Sequence, residues 1–380
     1  MVRFLHTGDW QLGMTRHLLS GDAQARYSEA RLDAVRHIAG LARVEGCSFV
    51  VVCGDVFESN HLDRQVVVRS LDAMAAFDIP LYLLPGNHDP VNAGSVYRSA
   101  TFRDHCPEQV VLLDSPGIVA VPGVNVELVA APLNSKQPLE DLVAKACTGL
   151  SPSASSFRVV VGHGAVDEGN PNPNNPALIS VQVAEEAIRS GCVQYVALGD
   201  RHSMTEVGRT GRIWYSGTPL VTDYDEVEIE PNNVLLVDLD RDSISVERRP
   251  VGAWQFKRRS FDVNNQAEVD TVRDWLESIA DKRCTVVKLS FVGTLNLTEK
   301  AHLDAVLDHF RDLFAALETW ERHTELSVLP DQGDLRDLGL GGFAAEAVDE
   351  LSGLARSTGP DAVVAQDALG LLYRLAGRQS

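Results

Sequence analysis

A four-layer α/β/β/α sandwich, two β-sheets enclosed by helices, is the fold this sequence predicts, and three observations predict it. Short apolar, β-branched-rich runs at Val2 to Leu5, Phe49 to Val52, Leu81 to Leu84, Val159 to Val161 and Tyr195 to Leu198 read as buried parallel strands. Between them Leu32, Val35, Ile38 and Ala42 recur at helical spacing, as do the apolar residues of Val66 to Phe77, so each helix turns one apolar face to a sheet. From about Val110 to Pro132, apolar stretches broken by Gly and Pro point to a second, more antiparallel sheet, and Asn232 to Asp238 adds a further strand.

Composition changes after Pro250. Helix-like Gln266 to Ile279 leads to Val287, Leu289 and Phe291, which alternate with Lys288 and Ser290 as a half-exposed strand does, and then to helix-like Leu297 to Leu317. A Gly- and Asp-rich stretch, Asp331 to Gly342, precedes a helical tail in which Val364, Ala368, Leu371 and Leu375 form one apolar stripe. The expected organisation is a main α/β domain over 1–250, a small α+β domain over 251–330, and a linker with a helical tail over 331–380.

Each of the five strand-like runs ends in polar residues. They are Gly8-Asp9-Trp10-Gln11, Gly54-Asp55, Gly86-Asn87-His88-Asp89, Gly162-His163-Gly164 and Gly199-Asp200-Arg201-His202. In an open α/β sheet ligands collect outside the carboxyl ends of strands, so Asp9, Asp55, Asn87, His163, Asp200 and His202 are expected to share one pocket. A single Gly-Asp or Gly-His after a strand is usually a turn. Five in series, all supplying oxygen or imidazole, point to metal ligands.

These stretches carry a family resemblance. Phe4-Leu5-His6-Thr7-Gly8-Asp9-Trp10-Gln11-Leu12-Gly13, Gly54-Asp55-Val56-Phe57-Glu58 and Pro85-Gly86-Asn87-His88-Asp89 resemble the calcineurin-type metallophosphoesterases, and within them the SbcD-type DNA-repair nucleases, over residues 1 to about 240. By motif position the resemblance implies that one metal is held by Asp9, Gln11, Asp55 and His202. A second would be held by Asp55, Asn87, His163 and Asp200, with Asp55 bridging. Two departures stand out: Gln11 replaces the histidine of an Asp-x-His motif, and Asp200 replaces the first histidine of Gly-His-x-His.

The chemistry explains the residue types. Two cations about 3.5–4 Å apart neutralise a phosphodiester, lower the pKa of a water and stabilise the leaving oxygen. His88 is implied to steady the transition state or protonate the leaving group, a role suited to imidazole. Gln11 and Asp200 shift the donor set toward oxygen, which favours manganese, with magnesium second, over zinc. The resemblance also implies DNA as substrate, an SbcC-like ABC-type ATPase with a coiled coil as partner of the tail, a capping and DNA-holding role for the small domain, and a homodimer formed near residues 62 to 106. A small-molecule or cyclic-nucleotide phosphodiesterase, and a catalytically weakened scaffold marked by Gln11, remain open readings of the same residues.

With 380 residues and 44% hydrophobic content the chain is long enough for two or three domains. The sequence shows no leader-like N-terminus and no apolar run reaching the ~18–20 residues of a membrane span, so a cytoplasmic, membrane-free protein is expected. Six cysteines without CxxC spacing read as reduced thiols. The net charge of −19 argues against a nucleic-acid substrate, but residues 248 to 260 hold Arg248, Arg249, Lys257, Arg258 and Arg259 without an acid. Lys257, Arg258 and Arg259 are the expected DNA contacts. No P-loop is present, so any ATP hydrolysis belongs to another chain.

Overall fold

A computed structural model describes residues 1–172, 175–240, 243–328, 342–355, 357, 361, 362, 364, 365 and 367–369. The chain divides into two compact units, Met1–Gln255 and Phe256–Ser380.

The first unit contains two six-stranded sheets. One has the order β12-β11-β1-β2-β3-β4, built from β1 (Val2–Thr7), β2 (Phe49–Cys53), β3 (Leu81–Leu84), β4 (Val110–Leu112), β11 (Asn233–Leu239) and β12 (Ile244–Pro250). The other has the order β5-β6-β7-β8-β10-β9, built from β5 (Gly117–Ala120), β6 (Val126–Ala131), β7 (Phe157–His163), β8 (Tyr195–Gly199), β9 (Thr205–Val207) and β10 (Ile213–Tyr215). Helices α1 (Asp22–Val44), α2 (Arg64–Met74) and α3 (Ala100–His105) contribute to the core of the first sheet, and α4 (Leu142–Cys147) and α5 (Val181–Arg189) to that of the second.

Strand periodicity produces the layering. On β2, Phe49, Val51 and Cys53 enter the core between the sheets, while Val50 and Val52 enter the core beneath the helices. On β8, Tyr195 and Ala197 face between the sheets and Val196 and Leu198 face the helical side. Both faces are apolar, which is why these strands read as continuous hydrophobic runs. The inter-sheet core is knitted by aromatics: Phe4 stacks on Phe49 at 4.7 Å and meets Tyr195 of the opposite sheet edge-on at 5.7 Å. The predicted four-layer α/β/β/α fold is therefore the observed one.

The second sheet is not the more antiparallel of the two. Each sheet makes three parallel and two antiparallel pairings. The Gly and Pro residues of 110–132 mark instead the passage from β4 in the first sheet to the β5–β6 hairpin of the second.

His6 on β1 ties the sheets together. It is fully buried, its Nδ1 lies 3.0 Å from the Tyr195 hydroxyl, and its Nε2 lies 3.1 Å from the Leu198 carbonyl oxygen on β8. Burial pushes its pKa down to about 3, against the smaller opposing pull of the Leu198 carbonyl, so the ring is neutral.

The second unit has a sheet of β13 (Gln255–Asp262), β14 (Thr285–Leu295), β15 (Ala316–Thr319) and β16 (Glu325–Val328). It packs with α6 (Gln266–Ser278) and α7 (Leu297–Arg311) around Val269, Val272, Leu289, Phe291 and Phe310. The expected helix through Leu317 ends at Arg311, and Phe314 and Leu317 enter the same core from a turn and from β15, so apolar spacing outlasts the helix. In the tail, α8 (Phe343–Ala355) contributes Val348 and Ala355 to a small cluster with Leu297, Ala365 and Leu369. Of the expected stripe, Val364 is 67% exposed, while Ala362, Ala365 and Leu369 of the same segment are buried. Leu371, Leu375 and residues 331–341 lie outside the described residues. Among the described residues no helix is long and apolar enough to cross a membrane. All six cysteines are free, Cys47 and Cys53 being buried.

Two outcomes follow for stability. Phe49→Ala is expected to lower unfolding free energy by about 3–5 kcal/mol in chemical denaturation, since it empties the centre of the inter-sheet core. For His6, the unfolded chain takes up a proton near about pH 6.5, whereas the native ring does not until about pH 3, so its stabilisation is full above the former and is lost as pH falls. Between about pH 7 and about pH 5 the denaturant midpoint should fall more in the wild type than in His6→Gln.

Candidate metal centre

The polar strand ends converge. Asp9 and Gln11 follow β1, Asp55 follows β2, and Asn87 and His88 follow β3; His163 ends β7, and Asp200 and His202 follow β8. The first five residues come from one sheet and the last three from the other, so the site straddles the sandwich. Ligand atoms of Asp9, Asp55 and His163 all lie within 4.8 Å of one another. His163 Nε2 is 2.7 Å from Asn87 Oδ1, 3.5 Å from Asp55 Oδ1 and 3.8 Å from Asp200 Oδ1. Gln11 Nε2 is 3.3 Å from His202 Nε2. Every expected ligand position of the first unit thus reaches one locus.

Backbone hydrogen bonds hold the turns. The Asp9 amide donates to the Gly54 carbonyl at 3.0 Å and the Gln11 amide to the Asp55 carbonyl at 2.8 Å, so β1 and β2 stay laced beyond their ends. The Asp200 amide donates to both oxygens of Asp9 at 3.1 Å, and the His88 amide to Asp55 Oδ1 at 2.9 Å. Asp9, Gln11, Asp55 and Asp200 all have left-handed φ, of 52°, 45°, 50° and 105°. Such backbone costs about 1–3 kcal/mol per residue and persists only where the surroundings enforce it. Two glycines make the approach feasible: a Cβ on Gly54, whose φ is +88°, would lie 2.1 Å from His163 Nδ1, and one on Gly199 would lie 1.8 Å from the Cys53 carbonyl oxygen.

Charge at the locus is unbalanced. Burial pushes the Asp9 carboxyl up to about 7, with Asp55 and Asp200 adding to the rise and His163 and His202 opposing it. Burial also works against a charged His163, yet Asp55, Asp9 and Asp200 together push it up to about 9. His163 Nδ1 donates to the Cys53 carbonyl at 2.8 Å, and Nε2 lies 2.7 Å from Asn87 Oδ1. Gln11 Oε1 is buried and has no hydrogen-bond donor. An orphaned amide oxygen, crowded carboxylates and two imidazoles fit a divalent cation, whose charge would offset that of the carboxylates.

Sequence reading missed the groups that hold the ligands. His202 Nδ1 donates to Glu228 Oε1 at 2.7 Å, and Glu228, only 2% exposed, also accepts from the Thr222 amide at 2.7 Å and from the Thr222 hydroxyl. Burial lowers the pKa of His202, but the hydrogen bond to Glu228 outweighs it together with Asp9, and the net shift is upward. This contact leaves Nε2 aimed at the site, the arrangement in which a carboxylate fixes a metal-binding ring. Asp89 accepts from the Gly86 amide at 2.7 Å, the Phe57 amide at 2.9 Å and the Tyr97 hydroxyl at 2.5 Å, pinning the Asn87–His88 turn. Arg31, buried, donates to the Trp10 carbonyl at 2.9 Å and so braces the Asp9–Gln11 turn. Nothing in the acid-rich stretch from Asp223 to Glu230 distinguishes Glu228 without the fold.

His88 Nδ1 donates to the Glu58 carbonyl at 2.9 Å, which leaves Nε2 4.0 Å from Asp55 Oδ2. The site opens into a cleft of about 600 Å³ whose walls include Gln11, Glu58, His88, Arg201 and His202. Lys257, Arg258 and Arg259 stand on β13 of the second unit, where Arg258 lies 4.4 Å over the Trp320 ring and Arg259 4.7 Å over Phe261. The patch expected across 248–260 is divided. Arg248 pairs with Glu230 at 2.5 Å and Arg249 with Glu45 at 2.9 Å in the first unit, acids that local sequence does not reveal, and Trp254 and Phe256 are buried core.

Glu228→Gln is expected to weaken manganese binding about 10-fold or more by titration calorimetry, because the amide can turn an N–H toward the ring and release its orientation.

Comparison with known proteins agrees with this geometry. The family described as calcineurin-like phosphoesterase matches residues 2–204. The D subunit of the nuclease SbcCD from Bacillus subtilis (strain 168) is 25% identical over 258 residues, covering 59% of this chain and 63% of that protein. The chain therefore matches somewhat under two thirds of the length of this relative. Among solved structures, TT1561 of Thermus thermophilus aligns with a TM-score of 0.40 at 12% identity, over 66% of this chain and 99% of that one. A dimetal phosphatase from Danio rerio aligns with a TM-score of 0.40 at 15% identity, over 66% and 96%. With the family matched across more than half of its residues, from β1 through His202, this chain belongs to the calcineurin-like phosphoesterases.

Proposed function

We propose that the chain is a metal-dependent phosphodiesterase that hydrolyses DNA, acting as the nuclease subunit of an SbcCD-like double-strand-break repair complex. The observation that carries the hydrolase reading is the convergence of ligands from five strand ends on one locus, with the Gln11 oxygen left without a donor. The relative named as a nuclease subunit supports DNA over a small diester.

Asp9, Gln11, Asp55 and His202 would hold one cation and Asp55, Asn87, His163 and Asp200 the other. Bound there, the two cations neutralise the phosphate and lower the pKa of water. The protein's own groups do the rest. The Glu58 carbonyl fixes the His88 proton on Nδ1, so a second proton on Nε2 points toward the locus and is available to a leaving alkoxide. The Glu58 carboxylate stands 3.8 Å from the same nitrogen. The oxygen donors Gln11 and Asp200 favour manganese.

The partner is an SbcC-like ATPase engaging the tail, Lys257, Arg258 and Arg259 of the second unit contact DNA, and α2 and α3 supply a homodimer interface in the cytoplasm.

Linear duplex DNA and a chromogenic phosphodiester, each with manganese, test the reading. The wild type should degrade both, Asp55→Ala neither, and His88→Ala should lower kcat about 10²–10⁴-fold while calorimetry shows manganese still bound. Turnover of the chromogenic diester alone points to a small-molecule enzyme, and turnover of neither to a scaffold.

A further inference from the structure

Arg201 sits between two expected ligands, Asp200 and His202, but does not share their direction. Asp200 approaches His163 and His202 approaches Gln11, whereas the Arg201 guanidinium lies over the Tyr215 ring at 5.7 Å from its centroid. The left-handed turn at Asp200 sets this divergence. Tyr215 is a rigid support: it is 1% exposed, belongs to β10, and donates its hydroxyl to the Gly164 carbonyl at 2.7 Å. Arg201 itself is exposed and forms no ion pair among the described residues. It lines both the main cleft and an adjoining hollow of about 150 Å³ bordered by Gly169, Asn170 and Pro171.

Electrostatics makes this placement consequential. Glu58, Asp200, Asp223 and Glu228 all line the main cleft, so an anionic substrate meets like charge on entry. The cleft's other guanidinium, Arg16, lies in the field of Glu58. We infer that Arg201 is the substrate-anchoring residue of this site, its guanidinium gripping the non-bridging oxygens of a phosphate at the junction of cleft and hollow. A planar fork of donors suits two phosphate oxygens at once, and stacking on Tyr215 limits the rotamer freedom lost on binding. The inference rests on the phosphodiesterase reading for its substrate, but phosphate binding can be measured without turnover.

The manganese-loaded full chain is compared with Arg201→Ala and Arg201→Lys in two measurements. In titration with inorganic phosphate, Arg201→Ala should bind about tenfold more weakly and Arg201→Lys should recover only part of the loss, with manganese affinity unchanged in both. With the chromogenic phosphodiester, Arg201→Ala should raise KM about tenfold and change kcat less than about threefold. Equal phosphate affinity in wild type and Arg201→Ala, no phosphate binding by either, or loss of manganese affinity in Arg201→Ala would each overturn the assignment. If the wild type hydrolyses no diester yet binds phosphate through Arg201, the hydrolase reading fails and the anion site stands.

Discussion

Asp9, Asp55 and His163 stand buried within a few ångströms of one another with the more exposed Asp200 at their edge, and the first unit is organised to sustain that crowding of like charge. Carboxylates left to themselves would separate or swing into solvent. Here they do neither, because the Asp200 amide is bonded to Asp9, the His88 amide to Asp55, and the turns carrying Asp9 and Asp55 are laced to each other through the backbone. The cost appears as the upward shift of Asp9 and as left-handed backbone at Asp9, Gln11, Asp55 and Asp200. Such a locus is stable as a cation site and frustrated as anything else.

The crowding depends on elements remote from it. Asp9, Asp55 and Asn87 come from one sheet, and His163, Asp200 and His202 from the other, so their separation is inherited from how the sheets stack. Phe4, Phe49 and Tyr195 fill that interface, and His6 clamps β1 to β8 directly below the ligands. Packing in the middle layer is therefore part of the site's geometry. The helices on the outside close the sandwich but contribute few groups, Arg31 of α1 being the exception.

Much of this was legible in the sequence, for identifiable reasons. Strands buried on both faces announce themselves as apolar runs, and a polar residue just beyond each run has one sheet edge to occupy, so the order of residues alone gathers Asp9, Asp55, Asn87, His163, Asp200 and His202. What stayed hidden has no local signal. Glu228 stands in a stretch of acids that look alike, and only the return of the chain beside His202 distinguishes it. Arg248 and Arg249 read as a free basic patch because Glu230 and Glu45, which neutralise them, lie outside the segment. The stretch from Val110 to Pro132 reads as the start of a more antiparallel sheet because Gly and Pro mark any departure from a strand, including a change of sheet.

The tight fit at Gly54 and Gly199 has a consequence for how such a site can diversify. Neither position tolerates even a methyl group beside His163 or the Cys53 carbonyl, so the scaffold offers no small sideways adjustments that would widen or narrow the coordination sphere. A ligand's chemical identity is therefore easier to change here than its position. At such fixed coordinates a substitution at Gln11 or Asp200 changes which donor atom faces the locus and leaves its place in the fold as it is.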